Sequence, residues 1–334
     1  MTQRVTSFDV ARLAGVSQST VSRALRNLPN ITAQTRERVA RAAAELRYVP
    51  HESGRTLSTR ITGRVAVVSE ALSNPFYPQL LEPLRERLGR EGYRTVLVSD
   101  SEDDALTAAV LSDGSYDGVV ITTAQRRSRL AVELRNRGVP CVLMNRRTDD
   151  DVDAACEFDN EDGARQVAEL VLSLGHSEIA LVAGFEKYST GFDRERGFRR
   201  ALDERGAWVP QRLTRHVQFS ADDGRAAAID LLSAPLPPTA IVCANDYIAF
   251  GVLNAARALG LRVPDDLTVI GFDDVAMASW DVLSLTTVRC DLDALGAHAV
   301  DMIIRMIRGE RVETLRRVPV EMVLRGTHRR RETS

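Results

Sequence analysis

Ser19, Ser22, Arg23 and Arg26 recur at spacings that gather them on one face of a helix, while Val21, Ala24 and Leu25 fall on the other. A face of hydroxyls and guanidinium forks can hold phosphate oxygens and base edges, because one arginine reaches two acceptors at once. The run before it, Val10-Ala11-Arg12-Leu13-Ala14-Gly15-Val16-Ser17, puts a glycine where a first helix must stop and a serine where a second must begin. That spacing is the one that sets the start of the second helix, with Thr20 in its first turn, into a DNA major groove. Enzyme chemistry finds no comparable footing: there is no GxGxxG after the first strand, no GxxxxGK[ST], no HExxH and no GxSxG. His176 follows Leu174-Gly175 at a helix end, where its ring suits the helix carbonyls, and no catalytic role is assigned to it.

These residues need elements to hold them. Thr6 and Asp9 make a capping box for the first helix, Ser17 caps the second, and Thr32 caps a third in which Val39, Ala42, Ala43 and Leu46 form an apolar stripe. Three short helices can share one small core. Residues 1 to 60 carry ten Arg against Asp9, Glu37, Glu45 and Glu52, about +6, whereas the whole 334-residue chain has a net charge of -2. A basic head on an acidic body implies that the head meets a polyanion and the body does not.

The stretch from Tyr48 to Thr62 is poor in apolar residues and contains Pro50 and Gly54, so residues 1–48 read as the head and 49–62 as a hinge. From Gly63 apolar runs alternate with amphipathic helices: Val65 to Val68, Thr95 to Val98, Gly118 to Ile121, Cys141 to Met144, Ile179 to Ala183, Ala240 to Cys243 and Leu267 to Gly271. Such runs indicate doubly wound parallel sheets in an α/β domain, covered on both faces. There are too many units for one sheet, and Phe158-Asp159-Asn160-Glu161-Asp162-Gly163 reads as a chain crossing between two lobes, with a ligand cleft between them. Lobe one is expected over 63–160 and 290–317, and lobe two over 161–289 and 318–330.

Cys141, Cys156, Cys243 and Cys290 are far apart and lie mostly in apolar runs, as expected of buried free thiols in a reducing compartment. Met1 to Gly15 has no apolar stretch of signal-peptide length, and no segment approaches ~20 apolar residues. A cytoplasmic, nucleoid-associated protein with no membrane partner is the expectation. No metal or other cofactor is implied.

The helix-turn-helix run, together with Ser73-Asn74-Pro75-Phe76, Phe158-Asp159-Asn160, Leu174-Gly175-His176, Arg194 with Gly197-Phe198, Asn245-Asp246 and Gly271-Phe272-Asp273-Asp274, resembles the LacI/GalR family of transcriptional regulators along essentially the whole chain. The resemblance implies a helix-turn-helix head, a hinge and a two-lobed periplasmic-binding-protein-like domain. It implies that Gln18, Ser19 and Arg23 read base edges and that Thr6, Ser17, Ser22 and Thr35 are phosphate contacts or caps. In the hinge it implies that Arg55 and Leu57 meet DNA, the leucine as a minor-groove wedge, although His51 and Gly54 depart from the family's usual Asn and Ala. In the cleft it implies Phe76, Tyr77, Asn145 and Arg146 from lobe one, and Thr190, Arg194, Phe219, Asn245 and Asp273 from lobe two. Asn145 stands where the family commonly has Asp. Trp280 and Tyr188 are cleft walls or surface anchors, and Asp274 is a loop brace. The function implied is a homodimeric repressor that binds double-stranded operator DNA and is controlled by a small carbohydrate effector. A C-terminus without a heptad tail favours the dimer over a tetramer. Replacing Arg194 by Ala is expected to cost ligand affinity while leaving ligand-free operator binding intact. The rival readings are a periplasmic-type sugar-binding protein, which would need a signal peptide and no basic head, and an α/β enzyme.

Overall fold

The computed structural model describes residues 5–25, 27, 29–48, 61–69, 72–99, 103–150 and 154–331. They fall into two units, Met1–Thr62 and Gly63–Ser334. Arg26 and the hinge positions Pro50, His51, Gly54, Arg55 and Leu57 lie outside the described residues.

The first unit has three helices, α1 (Ser7–Ala14), α2 (Gln18–Leu25) and α3 (Ala33–Glu45). Thr6 donates from both its backbone N–H, at 2.9 Å, and its hydroxyl, at 2.7 Å, to the Asp9 carboxylate. Those bonds hold the Asp9 carboxyl below the usual range. Gly15 ends α1 at φ +62°, a conformation that costs other residues about 1–2 kcal/mol. Ser17 Oγ then accepts from Thr20 N at 3.1 Å and Thr32 Oγ1 from Thr35 N at 3.2 Å, each satisfying a backbone donor that a helix start leaves free. Val10, Val21 and Val39, one from each helix, are fully buried at the centre of this small core. Burying each contributes on the order of 1.5–3 kcal/mol.

The second unit is built on two parallel sheets. The first combines β1 (Arg64–Ser69), β2 (Arg94–Ser99), β3 (Gly118–Ile121), β4 (Cys141–Met144), β5 (Ala155–Phe158) and β11 (Leu315–Val318) in the order β11-β5-β4-β3-β1-β2. Side chains alternate across it. Val65 and Val67 join the core shared with α4 (Phe76–Arg90) and α11 (Leu292–Ile307). Ala66 and Val68 face α5 (Asp104–Leu111) and α6 (Leu130–Asn136).

The second sheet orders β7 (Thr214–Val217), β6 (Ile179–Gly184), β8 (Ala240–Cys243) and β9 (Thr268–Ile270) as β7-β6-β8-β9, all neighbours parallel. Helices α7 (Asn160–Ser173) and α8 (Ser189–Asp203) pack as one pair, and α9 (Ala221–Leu232) and α10 (Asp246–Ala258) as another. The chain passes from the first lobe to the second after Phe158, returns through β10 (Thr287–Cys290), and leaves again from Val318 into β12 (Val320–Val323). An antiparallel β10–β12 ribbon joins the crossings.

Six of the seven apolar runs lie wholly in strands and the seventh, Leu267 to Gly271, contains β9; β5, β7 and β10 to β12 were not anticipated. The four cysteines are free and buried, and desolvation pushes the Cys156 thiol up to about 12. Among the described residues no helix is long and apolar enough to cross a membrane.

Candidate functional site

In the head, Thr6, Ser17, Gln18, Ser19 and Arg23 are exposed, and Thr20, Ser22 and Thr35 are half-buried. Ser17 Oγ lies 2.8 Å from both Ser19 Oγ and Thr20 Oγ1, and Thr35 Oγ1 lies 2.9 Å from Thr32 Oγ1. Those hydroxyls serve the caps. Gln18 Nε2 donates to Ser7 Oγ at 3.3 Å and Arg23 Nη2 to the Pro29 carbonyl at 3.3 Å. Such long, exposed bonds exchange readily for base-edge acceptors.

In the second unit, nine of the ten positions carried over for the cleft line one cavity: Phe76, Tyr77, Asn145, Arg146, Thr190, Arg194, Phe219, Asn245 and Asp273. Its volume is about 20 Å³, room for about one water molecule. A sugar therefore enters only if the lobes part or the Phe219 loop moves. The residues sit where strands end and helices begin. Phe76 opens α4, Asn145 follows β4, Thr190 lies in the first turn of α8, Asn245 caps α10, and Asp273 follows β9. Asn145 (φ +72°) and Asp273 (φ +115°) both hold left-handed backbone, which costs on the order of 1–3 kcal/mol each. Loop backbone bonds fix them: Asn145 N donates to Cys156 O at 2.8 Å, and Asp273 N to Val288 O at 2.9 Å.

Two guanidinium groups dominate the charge. Arg146 is buried, with its guanidinium carbon 3.9 Å from the Tyr188 ring centroid and 5.6 Å from that of Phe219. Arg194 donates to Asn160 Oδ1 at 2.8 Å, to the Ala244 carbonyl at 2.6 Å and to Asp273 Oδ1 at 2.9 Å, with Phe272 stacked 3.7 Å away. Burial raises the Asp273 carboxyl, and the Arg194 charge and hydrogen bond oppose it. Asn245 spends its side-chain oxygen on Ile248 N at 2.9 Å, leaving its amide hydrogens to point elsewhere. Among the described residues the buried Asn145 Oδ1 has no hydrogen-bond partner, so it offers an acceptor to a hydroxyl.

The lobes are also latched beside the cavity. Arg147 donates to Glu157 of β5 and to Asp193 of α8, each at 3.1 Å, and both carboxylates are buried. Asn74 Nδ2 reaches the Phe219 carbonyl at 3.5 Å while its Oδ1 accepts from Phe76 N at 3.0 Å.

A family model for bacterial regulatory proteins of the lacI family matches residues 8–51, and one for a periplasmic binding protein-like domain matches residues 168–328. The chain is 32% identical over 329 residues to the HTH-type transcriptional regulator DegA of Bacillus subtilis (strain 168), covering 96% of this chain and 97% of that one. It belongs to the LacI family of bacterial regulatory proteins. A structure of the lac repressor dimer bound to operator and the anti-inducer ONPF superposes with a TM-score of 0.89 at 29% identity, covering 98% of this chain and all of that one (100%). A CelR–cellobiose complex gives a TM-score of 0.75 at 30% identity, covering 97% and 100%. This LacI-family member is thus a DNA-binding transcriptional regulator with a two-lobed regulatory domain, not an enzyme.

Some expectations need correction within that family frame. Trp280, expected as a cleft wall or surface anchor, is 54% exposed and does not line the cavity. Arg194 is not free to serve a ligand alone, because three protein acceptors already hold it. The His176 ring meets Arg329 O, Thr239 and Thr268 rather than the carbonyls of its own helix end. Asp274, by contrast, braces its loop as expected, accepting from Arg289 and Arg325.

Of the two aromatics expected as cleft walls or surface anchors, Tyr188 is buried and stacks on the cavity residue Arg146, and Asn74 joins the cavity lining without having been assigned to it. Asn74 had one available signal, its place before Pro75, where an Asn side chain commonly starts a turn. Among the described residues Glu186, Glu195 and His216 come close enough to share a cation, but Glu195 is already bound by Arg199 and His216.

Proposed function

We propose that this LacI-family regulator is a homodimeric repressor acting at the nucleoid, whose Gln18, Ser19 and Arg23 read a roughly palindromic operator and whose cleft takes a carbohydrate effector. The observation that carries the reading is the convergence of the nine cleft positions on one cavity. It joins flat apolar rings, Phe76, Tyr77 and Phe219, to amides and guanidinium groups. Sugars present apolar ring faces and vicinal hydroxyls, which such a lining suits. The similarity to a regulator solved with cellobiose supports the same class.

Dimerisation is supported by Leu97 on edge strand β2 and by Leu106 and Val110, one turn apart on α5, all exposed. Leu106 and Val110, four residues apart, share one face of α5, and an exposed apolar face on a regulator favours a partner copy. Effector binding changes how the lobes meet, which alters the latches through Arg147 and Asn74, and residues 49–62 carry the change to the head.

The test is a thermal-shift screen against sugars and sugar acids, followed by operator selection from random DNA. A cleft ligand at ~100 times its dissociation constant adds about 2.7 kcal/mol of stability. Selection should return a palindrome bound by two chains. Recovery of an unsymmetrical site bound by one chain would overturn the dimer reading, and no stabilising carbohydrate would overturn the ligand class.

A further inference from the structure

The cleft lies at the strand ends of the second sheet, and a separate hollow of about 260 Å³ opens at the strand starts, where His176, Thr239 and Leu267 precede β6, β8 and β9. The C-terminal residues 329–331 are laid across it and pinned by their backbone. Arg331 N donates to Leu174 O at 2.8 Å, and Arg329 N donates to Thr268 Oγ1 at 3.2 Å. His176 fixes the same segment from below, with Nε2 3.3 Å from Arg329 O and Nδ1 2.9 Å from Thr239 Oγ1. Burial lowers the ring's pKa, so it stays neutral, with one nitrogen donating and the other accepting.

The charges in the hollow do not cancel. Asp265 is paired with Arg329. Asp266 is held by Arg262 at 2.8 Å, its carboxyl drawn down to about 2 by that hydrogen bond. Both acids are therefore already neutralised. Arg330 and Arg331 line the same hollow, and among the described residues neither guanidinium meets an acceptor. Two forked donors held by a fixed backbone beside a concave surface match a tetrahedral dianion, to which arginine binds through paired hydrogen bonds.

We propose that this hollow is a second ligand site, independent of the cleft, that takes the phosphate group of a small molecule between Arg330 and Arg331. The site keeps its shape through His176 and Thr268, which hold the backbone rather than the ligand.

Calorimetric titration of the full-length chain with inorganic phosphate, glucose 6-phosphate and glucose tests the assignment. Wild type should bind a phosphate-bearing probe saturably at one site per chain. An Arg330→Ala/Arg331→Ala variant should bind it at least tenfold more weakly, whereas Thr190→Ala in the cleft should not change it. Both arginines are exposed, so the double variant should fold, as circular dichroism will check. An Arg330→Lys/Arg331→Lys variant, which keeps the charge but loses the forks, should be intermediate. Equal binding of both phosphates identifies the free anion as sufficient, and binding of glucose 6-phosphate alone identifies a phosphorylated metabolite; either supports the site. No saturable binding, binding unchanged in the double alanine variant, or binding lost in Thr190→Ala would overturn it.

Discussion

Arg194 Nη2 donates to Asp273 Oδ1 at 2.9 Å, and both side chains are buried in the second lobe. The pair joins α8 to the loop after β9, and the same guanidinium holds Asn160 at the point where the chain enters that lobe. Removing one partner leaves a buried charge uncompensated. Arg194→Ala should therefore lose about 3–5 kcal/mol of stability. Adding Asp273→Asn should recover part of that loss. Urea unfolding will measure it, and an Arg194→Ala variant as stable as wild type would show that the network carries no weight.

Gly184 is the seat of the Phe219 ring. A Cβ built at Gly184 would stand 2.5 Å from Phe219 Cζ, well inside contact distance. Gly184→Ala should cost about 1–3 kcal/mol through overpacking. Because the clash is with one ring, Phe219→Ala in the same chain should remove most of the penalty, a coupling that a double-mutant cycle reads directly. Additive losses would mean that the backbone of β6, not the ring, is what suffers.

Asp246 is fully buried, its carboxylate accepting from Val275 N at 2.9 Å and Thr287 Oγ1 at 2.5 Å. Burial, and next the nearby Asp273 charge, push its carboxyl well above the ordinary range. For an acid raised on folding, the stability it contributes is full below the unfolded carboxylate pKa and is lost as pH rises through the folded value. Asp246→Asn cannot titrate, and its amide can still offer an acceptor to Val275 N. The wild type should thus lose stability relative to this variant as pH is raised. Urea midpoints from pH 5 to 9 will compare the two, and parallel pH profiles would contradict the assignment.

Most strands legible in the sequence are buried on both faces, where the chain reads as an unbroken apolar run such as Val65 to Val68; β2 is the exception, an edge strand whose run Thr95 to Val98 is apolar but partly exposed. Those that escaped notice have a physical reason. β7, Thr-Arg-His-Val, is an edge strand and needs apolar side chains on few positions. β5 carries Glu157, whose charge hides a buried strand until Arg147 and Arg317 are seen to pair with it. The cavity lining came from the resemblance, position by position, not from periodicity. The sequence could not reveal that Arg194 is saturated by Asn160, Ala244 and Asp273, or that Asn74 spans to Phe219, because those partners are brought together only by the fold.

In the head, Arg23 is exposed and, among the described residues, tethered only by one 3.3 Å bond to Pro29 O, so its removal should leave the three-helix core intact. Arg23→Ala should weaken operator binding by about 1–3 kcal/mol and relax selectivity at one base pair. Fluorescence anisotropy on the selected operator and on single-base variants will read both effects. A uniform loss across all sequences would make Arg23 a phosphate contact instead.

Coupling between cleft and operator tests the account most directly. Anisotropy of labelled operator DNA should be followed while the carbohydrate found by thermal shift is titrated into wild type and Thr190→Ala, whose side chain is buried in the cavity wall. The carbohydrate should shift wild-type operator affinity at least fivefold, as a coupling of 1 kcal/mol or more requires. Thr190→Ala should bind operator normally without ligand and need a higher carbohydrate concentration for the same shift. Operator affinity unmoved by a carbohydrate that demonstrably binds, or a Thr190→Ala response at unchanged concentration, would contradict the account.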